Sequence, residues 1–393
     1  MSGVNDFKVQ DGVLTKYCGD GAEVQIPSKV GKETVTAIGA GAFKNLPFVT
    51  RVVIPEGVTE IRGMAFSGCT ALTSVEIPGS ILRVGSDAFQ GCAALTGTET
   101  DKCVYLGNPK MPHLVLYKVK NKKRTSSAVM EGTKIVYQEA FSKFSLMEAL
   151  TLPEGITNFG CEAFKGCKAL GEVHFGGSLA AWLKIDMIGA QFSQPLSNGA
   201  ALYIGGAPLT EVEIPADAVL KSAAFEGCTS LGRVTIPRHV AEIPFVSFCN
   251  CTSLEEVSIE DGVGAIGSLA FSGCTSLRAV EIPDSVTKIS QRSFMGCKSL
   301  SAVTLPRRIT AVEEGLFQGC DGLQEIRIPE GVQKIEAYAF SECASLQTVE
   351  IPKSVKDIAG NAFAGCTQLT IRTPKGSPAE AYANKKGIAV VNR

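Results

Sequence analysis

Apolar and polar positions along this chain recur with one period. Phenylalanine stands at 225, 248, 271, 294, 317, 340 and 363, each 23 residues from the last. Ahead of most of them come V-x-I-P and then V-x-x-I or close variants, as in Val280-Glu-Ile-Pro283 followed by Val286 and Ile289. Three residues after each Phe comes Cys, and three further on comes Leu. In V-x-I the two apolar residues share one face of a strand, and the residue between them faces the other way. Proline ends the strand because it cannot donate to a ladder. The V-x-x-I pair then crosses a second wall, and Ala-Phe-x-Gly-Cys turns the chain back. A strict period of this length predicts a solenoid, whose coils bury their apolar faces only by stacking. The pattern therefore predicts a strand-rich body with a parallel sheet and only short helices or 3-10 turns.

The same phrase occurs around Phe43, Phe66, Phe89, Phe141 and Phe164, which makes 12 Phe-bearing repeats. The step from Phe89 to Phe141 is 52 residues, and that from Phe164 to Phe225 is 61. These are one period plus 29 and plus 38, so two insertions interrupt the array. The expected organisation is an N-terminal β-hairpin cap and first coil over 1–41, repeats over 42–96, a β insertion over 97–128 and repeats over 129–175. A helix and loop insertion over 176–208, repeats over 209–371 and a cap over 372–393 follow. The cap begins with alternation around Asp11-Gly12, a hairpin signal. The first insertion holds two strand patterns, 103–106 and 113–120, and the second a helical turn over 178–184 with Ser178 at its start. With parallel strands about 4.8 Å apart, twelve coils and their caps predict a curved body about 60 Å long.

Fourteen cysteines raise disulfides or zinc. Ten of them occupy the slot three residues after Phe, and Leu46 and Phe144 fill that slot in the other two repeats. A slot that accepts Cys, Leu or Phe reads as a buried apolar site, with the thiols reduced and stacked. Cys18, Cys103, Cys161 and Cys249 lie off this ladder and are the better candidates for redox chemistry.

With 38 basic and 39 acidic residues the net charge is −1, which argues against nucleic acid or an anionic membrane gripped by bulk charge. No apolar run approaches the roughly 18 residues a spanning helix needs. The first residues lack the features of a secretion leader, so the sequence leaves the compartment open. His113, His174 and His239 are far apart, and no HExxH, Walker, GxGxxG or GxSxG motif occurs. No catalytic residue, cofactor or metal is expected.

The remaining candidate is the stripe of outward strand residues: Arg51, Glu76, Glu172, His174, Glu211, Glu213, Arg233, Glu256, Glu281, Glu325, Arg327 and Glu350. Acids outnumber bases there, which suits a protein partner carrying basic groups. Binding hot spots are usually aromatic or Arg, so Tyr105, Tyr117 and Trp182 in the insertions are alternative contacts and support a carbohydrate or cell-wall reading, although Trp182 reads first as an anchor of its short insertion on the solenoid's flank. A monomer is expected.

The phrase Ala270-Phe-Ser-Gly-Cys-Thr-Ser-Leu-Arg-Ala-Val-Glu-Ile-Pro283 resembles the treponemal-type, or BspA-like, bacterial leucine-rich repeat, and the match covers nearly the whole chain. The resemblance implies a right-handed leucine-rich repeat solenoid with its parallel sheet on the concave side and no catalytic centre. Some members of that family are surface proteins that bind host matrix proteins or other cells. A scaffold for protein interaction, secreted or at the cell surface, is what the resemblance implies here.

Overall fold

The structure is a computed structural model and describes residues 3–187 and 193–392. The stretch 188–192, inside the expected second insertion, lies outside the described residues. The chain divides into two compact units, Met1–Ala181 with Ile185–Asn198, and Trp182–Lys184 with Gly199–Arg393. Each is a parallel β-solenoid of the expected coils. V-x-I strands build one wall and V-x-x-I strands the other.

In the first unit, Phe7–Gln10 and Val13–Tyr17 form the antiparallel hairpin. Asp11 and Gly12 turn it in the left-handed region, at φ 52° and 76°. Its second strand then pairs in parallel with Ala37–Ile38, which is followed by Glu60–Ile61 and Arg83–Val84. The hairpin thus extends the V-x-x-I wall. The V-x-I wall begins separately, as Glu23–Gln25 beside Arg51–Val53 and Ser74–Glu76. In the first insertion Cys103–Leu106 and Val115–Val119 pair antiparallel as expected. The second of them then joins the V-x-x-I wall beside Ile135–Val136.

One boundary needs correction. Ser126–Ala128 pairs in register with Ala149–Thr151, so the V-x-I wall resumes inside the segment assigned to the insertion. Ser127 takes the inward slot held by Leu150 on the next strand, and that hydroxyl hid the pattern. Its burial is tolerable because the Arg124 guanidinium donates to its Oγ at 2.9 Å.

The second unit carries Glu211–Glu213, Arg233–Ile236, Glu256–Ile259, Ala279–Glu281 and Ala302–Thr304 in one parallel V-x-I sheet. Glu325–Arg327, Thr348–Glu350, Thr370–Thr373 and Ala389–Asn392 form the next. The last of these strands follows the helix Pro378–Lys386. Ser377 caps that helix by accepting from Glu380 N–H, and Gly387 ends it at φ 68°, a conformation that suits glycine.

The core is a file of rings. From Phe225 to Phe363 successive phenylalanines stack with centroids 5.2–5.7 Å apart, all inside the second unit. Tyr17, Phe43, Phe66 and Phe89 stack in the same way in the first. Backbone bonds lock the corner: Phe248 N–H donates to Ala270 O, and Phe271 N–H to Ser293 O, both at 2.9 Å. At eleven of the twelve corners the residue two positions before Phe is left-handed. Gly41 and Gly315 take that conformation cheaply, whereas Val246, Leu269, Arg292 and Tyr338 adopt φ of 49–58°.

The cysteine slot is more specific than an apolar site. Cys251, Cys274, Cys297, Cys320, Cys343 and Cys366 each donate a thiol bond to the carbonyl of the Phe 26 residues earlier, at 3.0–3.2 Å. Cys69, Cys92 and Cys167 do the same in the first unit. Cys228 lies just after the second insertion and meets Ser230 Oγ instead, at 3.4 Å. All fourteen thiols are free. Burial raises the ladder thiols, those of Cys251, Cys274, Cys297 and Cys320 well above the usual thiol range and that of Cys92 to about 12.

Candidate functional site

On most strands of this V-x-I wall the Val or its equivalent is buried and the residues on either side of it face out, so stacking places the outward residues in rows. The rows are linked by ion pairs between adjacent strands. Arg233 lies 3.0 Å from Glu256 and 3.7 Å from Glu211, on the strands either side of its own. Arg327 Nε reaches Glu350 at 3.5 Å. In the first unit His174 Nε2 meets Glu172 at 3.0 Å within its own strand, a hydrogen bond, and Arg51 pairs across strands with Glu76 and, at 3.9 Å, with Glu23. These pairs are largely exposed, so each contributes about 0.2–1 kcal/mol and is easily exchanged.

Among the described residues three stripe acids of the second unit have no ion-pair partner: Glu213, Glu281 and Glu325. All three are exposed. Each stands opposite a threonine on the next strand, Thr235, Thr304 and Thr348. The stripe also runs further than the sequence reading took it. Glu23 and Gln25 continue it in the first unit, and Thr370 and Arg372 in the second. The signal was present: Val24-Gln-Ile26-Pro27 is a full V-x-I-P, and Thr370-Ile-Arg372 keeps the alternation.

Of the two readings of Trp182 the structure shows the anchor, and Tyr105 is likewise turned inward. Trp182 is fully buried and donates from Nε1 to Ala224 O at 2.9 Å. Tyr105 is 1% exposed, its hydroxyl accepts from Met130 N–H at 3.2 Å, and its ring meets His113 edge-on. Tyr117 is half-buried against Phe89 and Tyr137, with ring centroids 6.2 and 5.5 Å away. The cause is physical: a short insertion has little core of its own, and one aromatic buries 150–250 Å². The basic run of the first insertion is likewise engaged by the fold. Lys120 pairs with Glu99 at 2.7 Å, Lys122 donates to Ser142 O, and Arg124 lies over the Phe144 ring.

The three histidines lie in separate settings: on Tyr105, beside Glu172, and with His239 Nε2 against Pro215 O. Among the described residues no three His, Cys, Asp or Glu side chains gather as metal ligands would. No described helix is long and apolar enough to cross a membrane.

Parallel coils of 23 residues, with an inward Leu, Val and Ile and a ring at the corner, define a solenoid of the leucine-rich repeat class. More narrowly, the chain belongs to the BspA type leucine rich repeat region family, whose model matches residues 18–108, 119–183, 203–291 and 241–370 in six copies. The internal unmatched stretches, 109–118 and 184–202, fall in the two insertions, and 1–17 and 371–393 are unmatched at the ends. No curated protein matches the chain. Among solved structures it is similar to a leucine rich cell surface protein of Faecalibacterium prausnitzii, at 26% identity over 96% of this chain and 94% of that one, with a TM-score of 0.44. It is similar also to a leucine-rich repeat protein of Bacteroides ovatus, at 23% identity, 94% and 97% coverage and a TM-score of 0.37. The pneumococcal vaccine antigen PcpA matches at 15% identity, over 98% and 95% of the two chains, with a TM-score of 0.43.

Proposed function

We propose that the protein is a non-enzymatic, monomeric scaffold that binds another protein through the V-x-I stripe of its second unit, in surface adhesion or the binding of host or matrix proteins. Repeat solenoids suit this use because their stacked strands offer an extended surface. The observation that carries the reading is the charge arrangement. Arg233 and Arg327 are held by neighbouring acids, while Glu213, Glu281 and Glu325 face solvent unpaired. A partner with Lys or Arg placed to reach Glu213 and Glu281, which share one row, and Glu325 in the adjacent outward position meets these acids with complementary charge, which favours rapid association and specificity. Burial of Trp182 and Tyr105 removes support from the carbohydrate reading.

The test is binding of the immobilised chain to a panel of purified matrix proteins and basic peptides. Binding should weaken at least about tenfold when Glu213, Glu281 and Glu325 are all changed to Lys, and should fall with ionic strength. Full binding by the charge-reversed triple variant would place the contact elsewhere.

A further inference from the structure

The second unit contains a break that no insertion explains. The coils of Phe294 and Phe317 are one period apart, yet both walls divide between them. Ala302–Thr304 ends one V-x-I sheet and Glu325–Arg327 begins the next. Lys288–Ile289 and Ala311–Val312 part likewise on the other wall. Bonds present on both sides mark what is missing. Ser301 N–H donates to Arg278 O at 2.9 Å and Gln347 N–H to Gln324 O at 2.8 Å, but among the described residues the equivalent bond from Gln324 to Ser301 is absent. Thr287 N–H reaches Gly264 O and Gln333 N–H reaches Thr310 O, whereas Thr310 does not reach Thr287.

The corner, by contrast, stays closed. Arg292 N–H donates to Glu314 O at 2.9 Å, Phe294 N–H to Leu316 O at 3.1 Å, and Cys320 Sγ to Phe294 O at 3.1 Å. The rings of Phe294 and Phe317 still stack, at 5.7 Å, the widest spacing of that file. Beside the break, Val303 is only partly buried, although Val280 and Ile326 in the same slot are buried. A cleft of 520 Å³ opens there, lined by Val303, Leu305, Arg307, Arg327 and Pro329.

One residue separates this corner from the others. The position before Phe is Ala or Ser in every other repeat, as at Ala270, Ser293 and Ala339, but here it is Leu316, fully buried. An isobutyl group stands where the corner otherwise packs a methyl or hydroxymethyl group, and an overfilled core relaxes by shifting backbone. We propose that Leu316 is a wedge that holds the two coils apart, and that the seam is a hinge in the second unit, pivoting on the Phe294–Phe317 corner. It divides the stripe between Thr304 and Arg327, so flexing re-aims the outward residues on one side against those on the other.

The experiment is peptide-resolved hydrogen exchange on the full chain. Peptides 299–306 and 322–329 should exchange roughly tenfold faster than their neighbours 276–283 and 345–352, because ladder bonds are what protect those amides. Leu316→Ala should bring them to within about twofold of the neighbours. Should that variant fail to fold, Ala270→Leu provides the converse test, and should accelerate exchange in 253–260 and 276–283. Equal exchange across all coils of the unaltered chain would overturn the proposal. So would fast exchange that survives Leu316→Ala, or an Ala270→Leu chain that folds with exchange unchanged.

Discussion

The Phe271 carbonyl accepts twice, from Cys274 N–H in its own turn at 3.2 Å and from the Cys297 thiol of the next coil at 3.2 Å. One oxygen thereby shapes a corner and ties it to its neighbour. Leucine or phenylalanine can fill that slot but cannot make the second bond, which is why volume alone is an incomplete account of it.

Cys297→Ala should therefore cost about 1–2 kcal/mol, combining a small cavity with a lost donor. Cys297→Val retains volume and should lose mainly the donor, about 0.5–1 kcal/mol. Urea melts of the two variants separate these contributions. Equal stability of Cys297→Val and the unaltered chain would show that the thiol bond contributes nothing.

The ladder also sets an alkaline limit. Burial raises the folded thiols above their unfolded value, near 9, so the unfolded chain loses protons first as pH rises. Their contribution is fully present below that value and declines above it. The decline is about 1.4 kcal/mol per pH unit for each thiol that is ionised only when unfolded. Chemical melts between pH 8 and about 11 should show a steeper fall for the unaltered chain than for Cys297→Val. At neutral pH, native alkylation should label exposed Cys18 and leave the buried ladder thiols, from Cys228 to Cys343, unlabelled until unfolding.

Truncating a central ring is a separate matter. Phe271 packs between Phe248 and Phe294, and Phe271→Ala should cost about 3–5 kcal/mol. Because coils touch only their neighbours, hydrogen exchange should rise in its own coil and the two beside it. A uniform rise through the second unit would contradict nearest-neighbour stacking.

Tyr338 adopts φ 58° two residues before Phe340 and is 45% exposed, so it carries left-handed strain with little burial to offset it. Tyr338→Gly should stabilise the chain by about 0.5–1 kcal/mol, since only glycine enters that region without steric cost. A thermal melt with an unchanged or lowered midpoint would refute it.

The coils were legible because every repeat must solve the same problem with the same side chains, so Phe271, Cys274 and Val280 each declare a place. Legibility failed where a coil solved it differently. Ser127 hid a strand because its hydroxyl is satisfied by Arg124, a partner that no period predicts. Trp182 could be read as an anchor or as a contact, and Tyr105 looked like a contact, because composition cannot tell an anchoring ring from an exposed one. The stripe's members were readable from alternation, but not their pairing: Arg233 with Glu211 and Glu256 depends on register between coils. Leu316 was visible as an odd residue, yet only the divided sheets give it meaning.

The corner bonds have a consequence for how such a chain can lengthen. Phe248 offers an N–H to the coil after it, and Ala270 offers the carbonyl that receives it; the same two groups recur one coil on, at Phe271 and Ser293. Each coil thus presents a socket on one side and the matching plug on the other. A gene segment copied in tandem over one whole coil yields a newcomer that both neighbours already fit, whereas a copy short by a residue leaves the plug and socket out of line.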